Sequence, residues 1–186
     1  CDGTNDPWFG NPFDTFWFNP NPNWASALPS TGDDPSLDLD DTDGAGPENL
    51  NLDAPEGTAE NPMTYAIGVH SWDDHGWGPS KATVAVYLMG SMALKITSVE
   101  LQPLDMWFVG KLYWPGPMMG GAPQDFTICK QSGDACLTLT DPTNPKAGQM
   151  WQPSGDWCIT PCYKNEGFSA TSGKTSAMCK DDPGGS

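Results

Sequence analysis

The sequence predicts an all-β protein, an antiparallel β-sandwich of jelly-roll or Greek-key type followed by a small disulfide-stapled C-terminal appendage. Three observations support this fold class. Apolar and polar residues alternate in several segments of strand length, turn residues separate those segments at fairly even spacing, and no segment has a convincing helical period. The chain has 186 residues, enough for one ordinary domain and a small addition. We expect the sandwich over residues 1–115 and the appendage over residues 116–186.

The N-terminal segment, residues 1–32, predicts an ordered extended wrap. Each Pro of its Asn-Pro pairs removes a backbone donor and holds the preceding residue in extended geometry, so at most one short strand is expected, near residues 15–18. The segment is rich in aromatic residues, which either pack onto the sandwich or form an exposed platform for a sugar or partner; packing is favoured. These residues are Trp8, Phe9, Phe13, Phe16, Trp17, Phe18 and Trp24.

The next segment predicts two short strands around an acidic corner, which we define as residues 38–48. Leu37 and Leu39 alternate with Asp before the corner, and Leu50 and Leu52 alternate with Asn after it. Gly and Pro residues inside the corner favour a tight turn that lets backbone carbonyls converge.

The acidic corner is the candidate metal site of the chain. Its carboxylates repel one another unless a cation lies between them, and Ca²⁺ prefers several oxygen ligands of this kind. The spacing differs from that of an EF-hand loop, and the alternative is a solvated acidic loop. The predicted ligands are Asp38, Asp40, Asp41, Asp43 and Glu48.

Four longer strands are predicted after the corner, over residues 63–72, 82–89, 94–101 and 106–114. In the first, Met63, Tyr65, Ile67 and Val69 share one face, which is expected to point inward. In the third, the apolar residues do not keep one phase along the strand, which predicts a β-bulge near Ser98.

The C-terminal part begins with a linker at Pro115 and holds five of the six cysteines among short β segments: FTICK, CLTLT and DWCIT. An even number of cysteines in such a chain predicts three disulfides and an oxidising compartment, although the pairing stays open. Cys129 and Cys136 are placed to clamp a hairpin. A zinc site is disfavoured, because paired Cys-x-x-Cys motifs and His are absent from this part of the sequence.

Cys1 has two interpretations. We expect it to form a disulfide, because a lipid-modified Cys1 would leave an odd number of thiols. The sequence also lacks a basic-then-apolar signal peptide before Cys1, so we expect the chain to be a processed, secreted form.

The charge balance limits the classes of partner. The net charge is -16 and the sequence contains no Arg, which argues against nucleic acid, heparin and anionic membranes. Cations, neutral sugars and other proteins remain. No apolar run reaches the length needed to cross a bilayer.

A second constellation could carry chemistry. His70, Asp73, Asp74 and His75 could bind zinc or act as acid and base, but a structural His at a strand end is the better interpretation. The sequence contains no G-x-S-x-G elbow and no phosphate-binding glycine loop. We therefore expect that the protein is not an enzyme.

Over residues 8–115 the chain resembles a group of bacterial modules. The motifs that carry the resemblance are DLDDTDGAGPENL, YAIGVHSW, KATVAVY and MWFVGKLYWP. The group is found in secreted and cell-surface proteins of predatory, soil and marine bacteria, including surface and lipoprotein modules of myxobacterial type. The resemblance implies an extracellular, calcium-stabilised β-sandwich. Such modules usually begin with a further strand of DLDLH type, and its absence here implies an open sheet edge that another copy could fill.

Together these observations predict a secreted, calcium-stabilised structural or adhesive surface protein. We expect it to be a subunit of an extracellular filament, sheath or surface layer that associates with itself or with neighbouring surface proteins, by strand complementation. The alternative function is a carbohydrate-binding module, in which exposed Trp side chains stack on sugar rings. The candidates for that role are Trp8, Trp17, Trp24, Trp72 and Trp77.

Overall fold

The structure, a computed structural model, describes residues 8–9, 12–24, 34–41, 46–58, 60–73, 75–88, 90–114, 125–128, 137–138, 157–160 and 163. These residues contain antiparallel strands and no helix, which confirms the all-β prediction. In particular, the described part of the chain has no helix long and apolar enough to cross a membrane. The strands are β1 (Ser36–Leu37), β2 (Leu50–Asn51), β3 (Met63–His70), β4 (Ser80–Leu88), β5 (Ser91–Leu101), β6 (Met106–Trp114), β7 (Asp125–Ile128), β8 (Leu137–Thr138) and β9 (Ile159–Thr160).

The chain divides into two compact units. One contains Cys1–Gly3 and Gly57–Thr160, and the other contains Thr4–Glu56 and Pro161–Ser186. The boundary expected at residue 115 stays a prediction, because residues 115–124 lie outside the described part of the chain.

A five-stranded antiparallel sheet is built around β6 in the first unit. β3 pairs along one edge of β6, from Met63 opposite Trp114 to His70 opposite Met106. The other edge pairs with β9 at its beginning and with β7 at its end, and β8 lies beyond β7. Strands from beyond residue 115 therefore complete the sheet that β3 and β6 begin.

The sequence of β6 explains its central place. Its first residues form an apolar run without alternation, which is typical of a strand that is buried on both faces. Trp107 and Val109 are fully buried, and Met106 and Phe108, whose side chains alternate with them, are buried as well.

β4 and β5 form a separate two-stranded sheet, a hairpin that turns at Gly90. The register shifts between Ala82 and Val84, where β5 carries one more residue than β4. Ser98 lies in this shift with a φ of 61°, so the predicted bulge near Ser98 is confirmed. The bulge also restores the inward phase, since Leu94 and Ile96 before it and Val99 and Leu101 after it are all buried.

One apolar cluster joins the hairpin to the five-stranded sheet. Its buried members come from β5, β6 and the end of β4, and half-buried side chains of β3, β4 and β9 pack around them. Tyr65, Ile67 and Val69 belong to this outer group, as predicted, whereas Met63 is exposed. Burial is thus deepest under β5 and β6 and decreases towards β3 and β4.

The second unit holds the aromatic wrap in a hydrogen-bonded frame. An isolated bridge joins Phe16 and Asn19, in the place where one short strand was predicted. The Asn19 side chain donates to the carbonyls of Pro12 and Asp14, and the Trp24 indole donates to that of Phe13. Phe16 is buried, but its neighbours Phe13, Trp17 and Phe18 are exposed, so packing accounts for only part of the aromatic set.

The predicted disulfides fall largely outside the described residues. Cys158 is the only described cysteine; it is fully buried and forms no disulfide. Three disulfides would need all six cysteines, so with Cys158 free at most two can form. The disulfide at Cys1 and the clamp between Cys129 and Cys136 stay predictions, because these cysteines lie outside the described residues.

Candidate metal site at the acidic corner

The acidic corner is closed by a short antiparallel ladder. Ser36 lies opposite Asn51 and Leu37 opposite Leu50, and the Asp38 N–H continues the ladder by donating to the Asn49 carbonyl at 2.9 Å. The two predicted short strands are therefore confirmed.

Side chains fix both ends of the corner. The Asn51 amide Nδ2 donates to Asp38 Oδ2 at 2.7 Å, and the Asp41 backbone N–H donates to Glu48 Oε1 at 3.2 Å. Gly46 has a φ of 56°, which suits glycine, and it precedes Pro47. The sequence prediction did not include Asn51, which reaches Asp38 because of the register between β1 and β2.

Glu48 experiences the charge of its neighbours. Burial is the main cause that raises the pKa of its carboxyl above the ordinary 4.5, since the group is partly enclosed although the residue as a whole is exposed. Repulsion from Asp40 and Asp41 raises the pKa further, and the hydrogen bond from the Asp41 N–H opposes the shift. The corner therefore brings Glu48 within range of repulsion from two other carboxyl groups.

The ligand set predicted from sequence is only partly described. Asp38, Asp40, Asp41 and Glu48 lie on the two sides of the corner, while Asp43 lies outside the described residues. Among the described residues, no three His, Cys, Asp or Glu side chains are grouped closely enough to hold a metal ion. Oxygen donors are nevertheless the type that Ca²⁺ takes, so the chemistry of the donors suits that ion.

The second constellation lies where β3 ends. His70 is the last residue of β3, and its ring contacts Trp72 at a centroid distance of 6.2 Å. Asp73 Oδ1 accepts the His75 backbone N–H at 2.8 Å, and Asp73 Oδ2 lies 3.9 Å from His75 Nδ1. This arrangement is that of a turn stabilised by an Asp side chain. Asp74 lies outside the described residues.

The Trp candidates for sugar binding differ in exposure. Trp77 is 86% exposed, Trp72 is 49% exposed and Trp17 is 47% exposed, whereas Trp8 and Trp24 are half-buried. Trp77 thus presents the largest free ring surface of the five.

Comparison with known proteins gives no family for this chain. No family model, no curated protein and no solved structure matches it.

Proposed function

We propose that the protein is a secreted, calcium-stabilised β-sandwich that serves as a structural or adhesive subunit of an extracellular filament, sheath or surface layer. The observation that carries this proposal is the place of the Glu48 carboxylate, partly enclosed and repelled by Asp40 and Asp41, in a corner closed by a hydrogen-bonded ladder. The ladder and the hydrogen bond from the Asp41 N–H to Glu48 hold the two sides of the corner together, so a bound cation would offset the repulsion on Glu48.

We also propose that the two sheets form a β-sandwich of Greek-key or jelly-roll type. β3 pairs with β6 and β4 pairs with β5, and both pairs contribute to one apolar cluster. Such nested pairing is what a long hairpin gives when it folds over onto itself, and it supports a sandwich of Greek-key or jelly-roll type.

The extracellular assignment rests on the whole sequence. Six cysteines, a net charge of -16 and the resemblance over residues 8–115 all favour a secreted surface module over an intracellular one. The proposal includes no catalytic role for His70, Asp73 or His75, whose contacts are those of a strand end and a turn.

Thermal unfolding with calcium and with a chelator tests the metal site. At calcium concentrations about 100 times the dissociation constant, we expect the ion to raise Tm by about 5–10 °C above the chelated protein. Asp40→Asn should abolish most of this difference, because it removes a ligand. Glu60→Gln, which neutralises an exposed acid outside the corner, is the matched control and should keep it. Identical melting curves with calcium and chelator would refute calcium stabilisation.

Carbohydrate binding is the alternative function, and the exposure of Trp77 favours it. In this case a soluble polysaccharide should produce a saturable change in Trp fluorescence that Trp77→Ala removes. Trp114→Phe keeps an aromatic ring at a half-buried position outside the five candidates and serves as the control. If a broad set of glycans leaves the fluorescence unchanged, the alternative is excluded.

A further inference from the structure

We propose that the outer edge of β4 pairs with the same edge of a second copy of this chain. The inference rests on the proposed assembly role, and it names the surface and the partner through which copies associate. The pairing would join two hairpins into one four-stranded sheet, with the strand order β5-β4-β4-β5.

Within the described part of the chain, the outer edge of β4 is open. There β4 pairs with β5 alone, and no described residue donates to or accepts from the other edge of this nine-residue strand. Open edges present a row of backbone donors and acceptors that can pair with another strand.

β4 also lacks the devices that commonly block an edge. Pro is absent from the strand, its only charged residue is Lys81 near one end, and the extra residues at both register shifts of the hairpin lie on β5. β5 is therefore the bent strand, with Ser98 in a left-handed conformation, and β4 is the straight one.

The apolar face of β4 remains incompletely covered. Ala82, Val84 and Val86 face the core but stay half-buried, whereas the core residues of the neighbouring β5 are fully buried. A further strand beside β4 would cover these three side chains, and burial of apolar surface favours association.

The strand is complementary to itself. Antiparallel pairing centred on Val84 places Thr83 opposite the partner's Ala85, and Lys81 opposite the partner's Tyr87. In this register the four exposed residues meet exposed residues, and the core-facing residues meet core-facing ones. A contact of this kind uses the same surface on both copies and closes as a two-fold dimer.

The charge distribution favours this surface for contact with a second copy. Two copies with a net charge of -16 each repel one another over most of their surface, but the described side chains of the hairpin carry only three charges, at Lys81, Lys95 and Glu100. Lys81 lies opposite Glu100 within the hairpin, so the proposed register brings no like charges into direct opposition.

Two double variants of the full chain test the pairing. Thr83→Glu/Ala85→Glu puts carboxylates opposite each other twice across the two-fold axis. Thr83→Lys/Ala85→Glu puts opposite charges there and differs from the first variant at one residue only. Both keep Glu at position 85 opposite Lys95 of the same hairpin, so this cross-strand pair is the same in the two variants.

Sedimentation equilibrium measures the outcome. We expect the natural chain and the Lys/Glu variant to dimerise, and the Glu/Glu variant to raise the dissociation constant at least about tenfold. Hydrogen exchange of residues 81–87 should slow as the concentration of the natural chain rises. A natural chain that is monomeric at about 100 μM, or one dissociation constant shared by all three proteins, would overturn the proposal.

Electron micrographs separate this inference from the assembly role. If the chain dimerises through β4 but forms no higher assembly with calcium, the β4 pairing stands and the assembly role is refuted. If the Glu/Glu variant builds the same assembly as the natural chain, the assembly role stands and β4 is not its contact.

Discussion

Glu48 links protonation to stability at the scale of a single residue. Burial and two neighbouring carboxylates raise its pKa in the folded chain, so the folded state binds a proton more tightly than the unfolded state does. In the absence of calcium, its stabilising contribution is complete below the ordinary pKa of 4.5 and is lost as the pH rises through the raised folded pKa.

Glu48→Gln should therefore raise stability in chelator at neutral pH. The amide keeps an oxygen that can accept the Asp41 N–H, and it removes the repulsion from Asp40 and Asp41. We expect a rise in Tm of about 1–2 °C, because solvent screens a partly exposed group. With calcium the effect should reverse, since a ligand is lost. A variant that is destabilised to the same extent in both conditions would show that the carboxylate has only a structural role.

Trp107 offers a second test at a single residue. It is fully buried, and its indole Nε1 has no hydrogen-bond partner among the described residues. Trp107→Ala should lower the free energy of unfolding by about 3–5 kcal/mol through the cavity it leaves. Trp107→Phe should cost less than about 2 kcal/mol, because it also removes an unsatisfied buried donor. Urea unfolding measures both losses of unfolding free energy, and a loss above about 2 kcal/mol for Trp107→Phe would mean that the indole N–H is bonded.

Individual residues were predictable where the sequence carries a local pattern. The charge density and the flanking alternation indicated the acidic corner, and a broken apolar phase indicated the bulge at Ser98. The contact of Asn51 with Asp38 depends on the register between β1 and β2, which no short stretch of sequence determines.

At the scale of elements, apolar patterns of strand length between turn residues were enough to identify β3, β4, β5 and β6. Their partners were harder to predict, because pairing between strands far apart in sequence leaves no local signal. The free edge of β6 is filled by β7 and β9, both from the segment interpreted as a separate appendage. The pairing of β6 with β7 and β9 is made by backbone hydrogen bonds, which many sequences can form, so the sequence alone does not specify these partners.

Gly57 is the first residue of the longer segment of the first unit, and its substitution can be tested against that of Gly90. Both have positive φ, but only Gly57 has backbone where a Cβ would stand, at the Trp114 carbonyl and the Met63 nitrogen. Gly57→Ala should lower the free energy of unfolding by about 2 kcal/mol or more, through clash and strain together. Gly90→Ala should cost about 1 kcal/mol, from strain alone. Chemical unfolding of the two variants gives the comparison, and equal costs would remove the steric contribution.

The whole molecule carries far more negative than positive charge, with 24 acidic residues against 8 Lys. Self-repulsion should therefore oppose folding, and about 500 mM NaCl should raise the Tm of the calcium-free protein by about 2–4 °C through screening. Calcium at about 1 mM adds little ionic strength, so a larger rise with calcium than with NaCl of matched ionic strength indicates a specific site. Equal rises would indicate screening alone.

The double pairing of β6 also decides how the protein can be shortened for laboratory use. Expression of residues 1–115 alone would remove β7 and β9 and leave β6 bare along one side, with Lys111 as its only charged residue. An uncovered apolar strand of this kind favours aggregation during production. We expect a fragment ending after Thr160 to stay in the soluble fraction at yields that a fragment ending at residue 115 does not reach.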